Sequence, residues 1–256
     1  MATFNANSIR ARLPIILSWL REEKPHLLSI QETKVQDQAF PVQEFEALGY
    51  YAVHKGQKSY NGVAILSTSP LESISYQMED AEKPDEARFL QGSFHGISLV
   101  NTYLPQGKSV DHIDFHYKLR WFERLLVHFE CHFDPEEPLL WMGDLNVALD
   151  EQDVYDPKRL DGHVCFHPQE REALRRIMQW GLVDLFRMHH PNERAFSFWD
   201  YRIPKAQERD LGWRLDYIFA TPPLAKNLIS CRIDKTPRTQ HRPSDHTFVV
   251  AEFNLG

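Results

Sequence analysis

Cysteine is scarce in this 256-residue chain. Its three copies, Cys131, Cys165 and Cys231, lie far apart, and none belongs to a CxxC pair. That argues against a disulfide framework or a thiolate zinc site and makes a reducing, cytoplasmic setting the expectation. No apolar run is long enough to span a bilayer. No basic segment followed by an apolar one marks a secretory leader. Basic residues are not in excess, since the formal net charge is −7. A protein that coats nucleic acid without specificity is usually basic, so that class is disfavoured. An acidic site holding a divalent cation is compatible with the same charge. Internal repeats and low-complexity tracts are also lacking. What remains is an ordinary globular composition, 42% hydrophobic and 25% charged, which is enough to bury a large core. One domain over residues 1–256 is expected.

The most informative stretch is Leu139–Asn146, LLWMGDLN. Leu139 to Met142 reads as a short buried strand that Gly143 ends. Asp144 and Asn146 sit two apart, so an extended backbone puts both on one side. A carboxylate and an amide there can hold a water, one taking its proton and the other fixing its oxygen. The competing reading is an Asx-type turn in which both residues only bond backbone.

From the start, Ala2–Asn7 reads as a strand with Asn5 and Asn7 on one side. Only three residues precede Phe4, so the chain is expected to begin a few residues upstream. Ser8 is expected to cap a helix to Glu23 with apolar Leu13, Ile16, Leu17 and Leu20, broken by Pro25. Leu27–Ile30 is a strand with Glu32 just past its end, where sites assemble in open α/β sheets. Gly49–His54 and Gly62–Ser67 alternate like antiparallel strands. Met78–Arg88 reads as an acidic surface loop, and Phe89–Phe94 with Ile97–Tyr103 as a hairpin. A long amphipathic helix is expected from His112 to Glu130, with Trp121 and Tyr117 as packing residues. Residues 150–168 show no period, a length of loop that is often functional. A helix from Glu170 to Trp180, stopped by Gly181, follows. Phe196–Arg202, FSFWDYR, suggests a strand edge whose aromatics suit base or sugar stacking. Gly212–Ala220 reads as a strand with Asp216 embedded in it, an acid that needs a partner, with His the natural candidate. Asp245 and His246 precede a final strand, Thr247–Phe253.

In order, the chain carries FNxN, QETK, NxYxP, GDxN, FxFWDYR, GWRLD and SDH. This series resembles the exonuclease III family of DNA-repair nucleases, within the deoxyribonuclease I-like phosphodiesterases, from Phe4 to Phe253. The resemblance implies an α/β fold, a four-layer α/β/β/α sandwich of two packed mixed, mainly antiparallel sheets. It implies phosphodiester hydrolysis 5′ to abasic sites and processing of 3′ ends with Mg²⁺ or Mn²⁺, on double-stranded DNA, by a monomer without a membrane partner. Carried over by position, Glu32 is the principal metal ligand with Asn5, Asn7 and Asp245 beside it. Hard cations favour such oxygen donors. Asp144 is implied to deprotonate the attacking water, Asn146 to position it, and His246, held by Asp216, to contact the phosphate. Tyr103 corresponds to a phosphate-contacting or leaving-group residue, and Phe198 and Trp199 to the wall of an abasic-sugar pocket. Gln106, Lys108 and Arg202 are expected to meet DNA, while Lys108, Arg202 and Arg214 are each equally compatible with solvation or pairing to acids.

One segment departs from the family pattern. His163–Pro168 reads HVCFHP, with Cys165 and His167 where smaller or different residues are common, so the wall of the sugar pocket is expected to be bulkier. That leaves room for 3′-end processing without abasic incision. A zinc pair of His163 and His167 lacks a third ligand nearby. Two further readings compete, a small-phosphodiester or phosphoinositide-type phosphatase and a non-catalytic binding protein. The DNA branch is favoured by FWDYR and GWRLD, and catalysis by the complete set of polar residues.

Overall fold

The computed structural model of the protein describes residues 1–78 and 86–255. The chain opens with β1 (Ala2–Asn5), α1 (Ile9–Glu23) and β2 (Leu27–Gln31), then α2 (Val42–Glu46), β3 (Tyr51–Lys55) and β4 (Val63–Ser67). Next come β5 (Glu72–Ser75), β6 (Phe89–Phe94), β7 (Ile97–Tyr103), α3 (Ile113–His132) and β8 (Leu139–Asp144). Then α4 (Pro157–Leu160), α5 (Pro168–Gln179), β9 (Val183–Asp184) and α6 (Leu185–His189) lead to β10 (Asp216–Ala220) and α7 (Pro222–Ala225). β11 (Leu228–Asp234) and β12 (Phe248–Phe253) complete the series.

The strands form two six-stranded sheets, ordered β11-β12-β1-β2-β4-β3 and β5-β6-β7-β8-β10-β9. Each sheet has one parallel pair near its middle, β1 with β2 and β7 with β8. The other pairs are antiparallel. Inner faces meet through Leu27, Ile65, Leu99, Met142, Ile218 and Val249. Outside the first sheet, Ile16, Trp19 and Leu20 of α1 cover Leu28, Ile30 and Phe248. Outside the second, Phe122, Leu125 and Phe129 of α3 and Leu174 of α5 cover Val100 and Trp141. The result is the expected α/β sandwich. Each fully buried Leu or Phe contributes about 1.5–3 kcal/mol by leaving water, so apolar layers on both faces of each sheet hold the polar strand ends in place.

Those ends share one edge of the sandwich. Asn5 is level with Gln31 in the first sheet, and Tyr103 and Asp216 are both level with Asp144 in the second. Gln31 reaches across the interface, its Nε2 donating to Asn101 Oδ1 at 2.7 Å.

Several local expectations are corrected. Gly143 lies inside β8 rather than ending it, and a Cβ there would stand 1.9 Å from the Thr102 carbonyl oxygen. Close approach of β7, not a turn, requires glycine at this point. Ser8 makes no side-chain cap bond to α1. The aperiodic stretch 150–168 contains a 3₁₀ turn at Glu151–Asp153 as well as α4. The strand containing Asp216 starts at that residue, because Arg214 before it is drawn into buried acids. Its Nε donates to Asp153 at 2.7 Å and its Nη1 to Asp184 at 2.7 Å. Phe196–Arg202 is not a regular strand, and Phe198 forms single bridges to Trp213 and His246. Of the acidic stretch 78–88, residues 79–85 lie outside the described residues.

Candidate active site

Two strand exits place their polar side chains by the same side-chain-to-backbone turn, and a third, at Glu32, shares its positive φ. Asn5 Oδ1 accepts the Asn7 N–H at 2.9 Å, and Asp144 Oδ1 accepts the Asn146 N–H at 2.9 Å. Asn7, Glu32 and Asn146 have φ of 43°, 50° and 52°, a region where Asn is more at ease than most residues. GDLN does form an Asx-type turn, but its residues do not bond backbone alone, since Asp144 also accepts from the Asn5 side chain, and the turn holds the Asp144 carboxylate at the mouth of the sheet.

The two sheets meet at Asn5. Its Nδ2 donates to Glu32 Oε1 at 2.8 Å and to Asp144 Oδ2 at 2.7 Å. With Oδ1 committed to Asn7, Asn5 orients the two carboxylates and does not face them as an oxygen donor. Asn146 Nδ2 donates to the Leu104 carbonyl at 3.0 Å and approaches Asp144 Oδ2 at 3.4 Å. His246 stands between two acids, with Nδ1 2.8 Å from Asp216 Oδ2 and Nε2 3.7 Å from Asp144 Oδ2. Ser197 Oγ donates to the same Asp216 oxygen at 2.6 Å. Asn7 Nδ2 donates to Asp245 Oδ1 at 2.9 Å.

Burial and neighbouring charge set the protonation states. Burial works against a charged His246, but Asp216 and Asp144 outweigh it and raise its pKa to about 10. Burial raises Asp144 to about 7, with Asp216 and Glu32 adding to the shift and the His246 charge opposing it. Burial also opposes ionisation of Glu32, yet Lys34, Asn5 and His246 together lower its pKa. Tyr103 is pushed well above its ordinary value by burial and by Glu32 and Asp144. Its hydroxyl therefore keeps its proton at neutral pH.

Above these groups lies a cleft of about 560 Å³. Glu32, Tyr103, Asp144, Asn146, Asp245 and His246 line it from the polar side. Phe198, Trp213, Leu215, Val164 and Cys165 form an apolar wall. Gln106, Lys108 and Arg202 stand at its margin, with Lys108 paired to Asp114 at 2.7 Å and Arg202 to Asp200 at 2.6 Å. Trp199 does not join the wall. It is 1% exposed, packs on Phe196 and Ala206, and borders a separate depression with Tyr201 and Arg238. Adjacent residues of an extended segment point opposite ways, and Phe198 takes the cleft side. Trp213 occupies the expected place of Trp199, exchanging backbone bonds of 2.9 Å with Phe198. Arg214, fully buried against Asp153 and Asp184, has no access to a ligand. His167 accepts the Gln169 N–H at the start of α5 and stays out of the wall.

Sequence reasoning passed over Lys34, Trp213, Leu215 and Ser197. Trp213 and Leu215 flank Arg214 in GWRLD, so alternation around the one charged residue was the available signal. Lys34 was visible in QETK, but nothing in the chain says that its Nζ lies 2.7 Å from Glu32 Oε2 and 2.5 Å from Asn7 Oδ1.

Among the described residues, donor atoms of Glu32, Asp144 and His246 lie within 4.8 Å of one another. An ammonium already bridges Glu32 Oε2 and Asn7 Oδ1, which demonstrates that these oxygens converge on a cationic group. Carboxylates with an amide oxygen suit a hard divalent cation, so Glu32 Oε2 and Asn7 Oδ1 fit that role and Asn5 fits a supporting one.

This fold and site match the Endonuclease/Exonuclease/phosphatase family, whose model covers residues 2–246. Exodeoxyribonuclease III of Haemophilus influenzae is 34% identical over 98% of this chain and 98% of its own length. The AP endonuclease structure from Archaeoglobus fulgidus superposes with a TM-score of 0.97 at 46% identity, over 99% of this chain and 98% of that one. The 3′ phosphatase NExo from Neisseria, bound to a product DNA hairpin, gives 0.92 at 31% identity, again over 99% and 98%. The chain belongs to the exonuclease III family of the endonuclease/exonuclease/phosphatase proteins.

Proposed function

We infer that the protein is a DNA-repair nuclease that hydrolyses phosphodiester bonds 5′ to abasic sites and processes 3′ ends, using a divalent cation. The observation that carries this is the buried Asp216–His246–Asp144 series at the floor of a cleft with an aromatic wall. Family membership narrows the chemistry to phosphoester hydrolysis, and the relatives named above support DNA as substrate.

Asp144, held by the Asn146 N–H and by Asn5, is the base that takes the proton of the attacking water. Asn146 fixes the carboxylate from below and shares in positioning that water. His246, cationic between its two acids, directs Nε2 toward the cleft. That nitrogen is too far from Asp144 for a hydrogen bond, which leaves its N–H available to a phosphate oxygen. Tyr103 supplies a neutral hydroxyl to the phosphate or the departing oxygen. Glu32, with Asp245 and Asn7, would hold Mg²⁺ or Mn²⁺, which when bound offsets negative charge on the phosphate oxygens. Phe198, Trp213 and Leu215 offer an apolar wall to a flipped-out, base-less sugar. Gln106, Lys108 and Arg202 flank the path of the phosphate backbone.

Both sheets contribute to the same site, which supports one catalytic unit over residues 1–256, and a site built within a single chain is compatible with a monomer. Three free cysteines support a reducing, cytoplasmic setting, and no helix among the described residues is long and apolar enough to cross a membrane.

The test uses a duplex with one abasic-site analogue beside a duplex with a recessed 3′ end, each with Mg²⁺ and with or without EDTA. Metal-dependent cleavage 5′ to the lesion is the expected result. Cys165, buried in the wall with φ of 70°, favours a second reading in which only 3′ ends are trimmed. Cleavage of neither duplex would turn attention to small phosphodiesters.

A further inference from the structure

The side chains of Lys118 and Glu170 are both 0% exposed. Lysine is seldom buried so completely, because removing an ammonium from water costs several kcal/mol unless partners replace it. Here three oxygens match its three N–H donors. Nζ donates to Glu170 Oε1 at 2.5 Å, to the Asn146 carbonyl at 2.6 Å and to the Gln106 carbonyl at 3.3 Å. Cys165 Sγ lies 3.9 Å away. These groups come from four segments around the cleft, namely the exit of β7, the exit of β8, the loop before α5 and the first turn of α5 itself. Glu170 also accepts the His167 N–H at 3.1 Å, which ties the start of α5 to the same charge. Lys118 itself stands on α3, whose Trp121, Phe122 and Phe129 are buried against the second sheet. A Cβ at Gly107 would lie 3.5 Å from Lys118 Cδ, so the cleft loop closes directly over the lysine stem.

We propose that Lys118 is a positioning residue for the hydrolytic centre. Its buried ammonium, balanced by Glu170, pins the Asn146 and Gln106 carbonyls and so fixes the β7 and β8 exit loops relative to each other. This inference rests on the nuclease reading above. An ion pair that served packing alone can be replaced by apolar residues of similar volume with little loss. That replacement would leave the two carbonyls without their donor, and the loops would drift. A misplacement of about 1 Å at a reacting group costs roughly 10²-fold in rate.

The experiment compares wild type, Lys118→Met and the double variant Lys118→Met/Glu170→Met. Cleavage kinetics are read on the abasic and recessed-end duplexes, thermal melting on the free proteins, and amide hydrogen exchange over 104–108 and 144–149. The expected double variant folds but melts below wild type, since two carbonyls lose their donor, loses roughly 10- to 100-fold in kcat with KM nearly unchanged, and exchanges faster in both loops. Wild-type kcat and exchange in the double variant would overturn the proposal. So would a double variant that does not fold, since Lys118 would then serve the fold itself. If the single variant fails to fold, the double variant decides. If wild type cleaves neither duplex, the nuclease reading falls, and the exchange measurement alone decides whether Lys118 holds the loops.

Discussion

His246 Nδ1 lies 2.8 Å from Asp216 Oδ2, an ion pair buried between the two sheets. Asp216 begins β10 in one sheet, and His246 stands just before β12 in the other. The contact therefore exists only once the sandwich has closed.

Asp216→Asn removes the negative charge that raises the His246 pKa, so the imidazole loses its proton at lower pH. The expected pH–rate profile moves its alkaline limb to lower pH, and its acid limb also moves lower because Asp216 no longer raises the Asp144 pKa, with kcat down by roughly 10²-fold. An unmoved alkaline limb would show that His246 does not act as a cation.

Asp144→Asn is expected to lower kcat by roughly 10²–10⁴-fold while DNA affinity stays close to wild type. In the metal-free enzyme Asp144 has a pKa of about 7. The base form is lost as pH falls, so activity declines on the acid side, and a bound cation moves that limb lower. Activity that survives the substitution in purified protein would remove Asp144 from the role of base.

Glu32→Gln deletes a carboxylate on which Lys34, Asn5 and the candidate cation site converge. The Mg²⁺ concentration for half-maximal cleavage is expected to rise at least roughly 10-fold, and EDTA to abolish cleavage by wild type. Titration calorimetry with Mg²⁺ alone provides the readout that does not depend on turnover.

Asp153→Asn tests the buried network behind the cleft. Burial opposes ionisation of Asp153, but Arg214 and Arg187 hold its pKa below the ordinary 3.8. A depressed folded-state pKa stabilises above the unfolded value and ceases to do so as pH falls through the folded one. The variant is expected to lose roughly 3–5 kcal/mol at neutral pH, as a buried pair broken on one side does. The gap to wild type should narrow below pH 3.8. Urea unfolding midpoints across pH 7 to 3 provide the check, and a gap of constant size would refute the assignment.

Cys165→Gly trims the cleft wall at a position with φ of 70°, which glycine adopts freely. If the wall limits the abasic sugar, kcat/KM for lesion cleavage should rise roughly 10-fold while 3′-end trimming changes little. Equal changes on both substrates would separate Cys165 from specificity.

Much of this was readable before folding. Short apolar strands closing on Asn5, Glu32, Tyr103 and Asp144 announce a sheet with polar ends, because period-two alternation and strand length are local properties. Trp199 was misplaced for a reason equally local. The stretch FSFWDYR offers neighbouring aromatics, and only the backbone pairing of Phe198 with Trp213 decides which one faces the cleft. Arg214 and Lys118 resemble solvated bases in the sequence, since burial of a charge depends on acids that arrive from elsewhere in the chain.

By itself, then, the sequence determined the alternation of strands and helices, the residues that end each strand, and the family. The tertiary structure decided which strand ends face one another. Asn5 and Asp144 are 139 residues apart in the chain, yet one hydrogen bond of 2.7 Å joins them. Spacing along a strand specifies a face, whereas contact between two sheets depends on how their apolar inner faces settle together. That packing turned separate polar strand ends into one site.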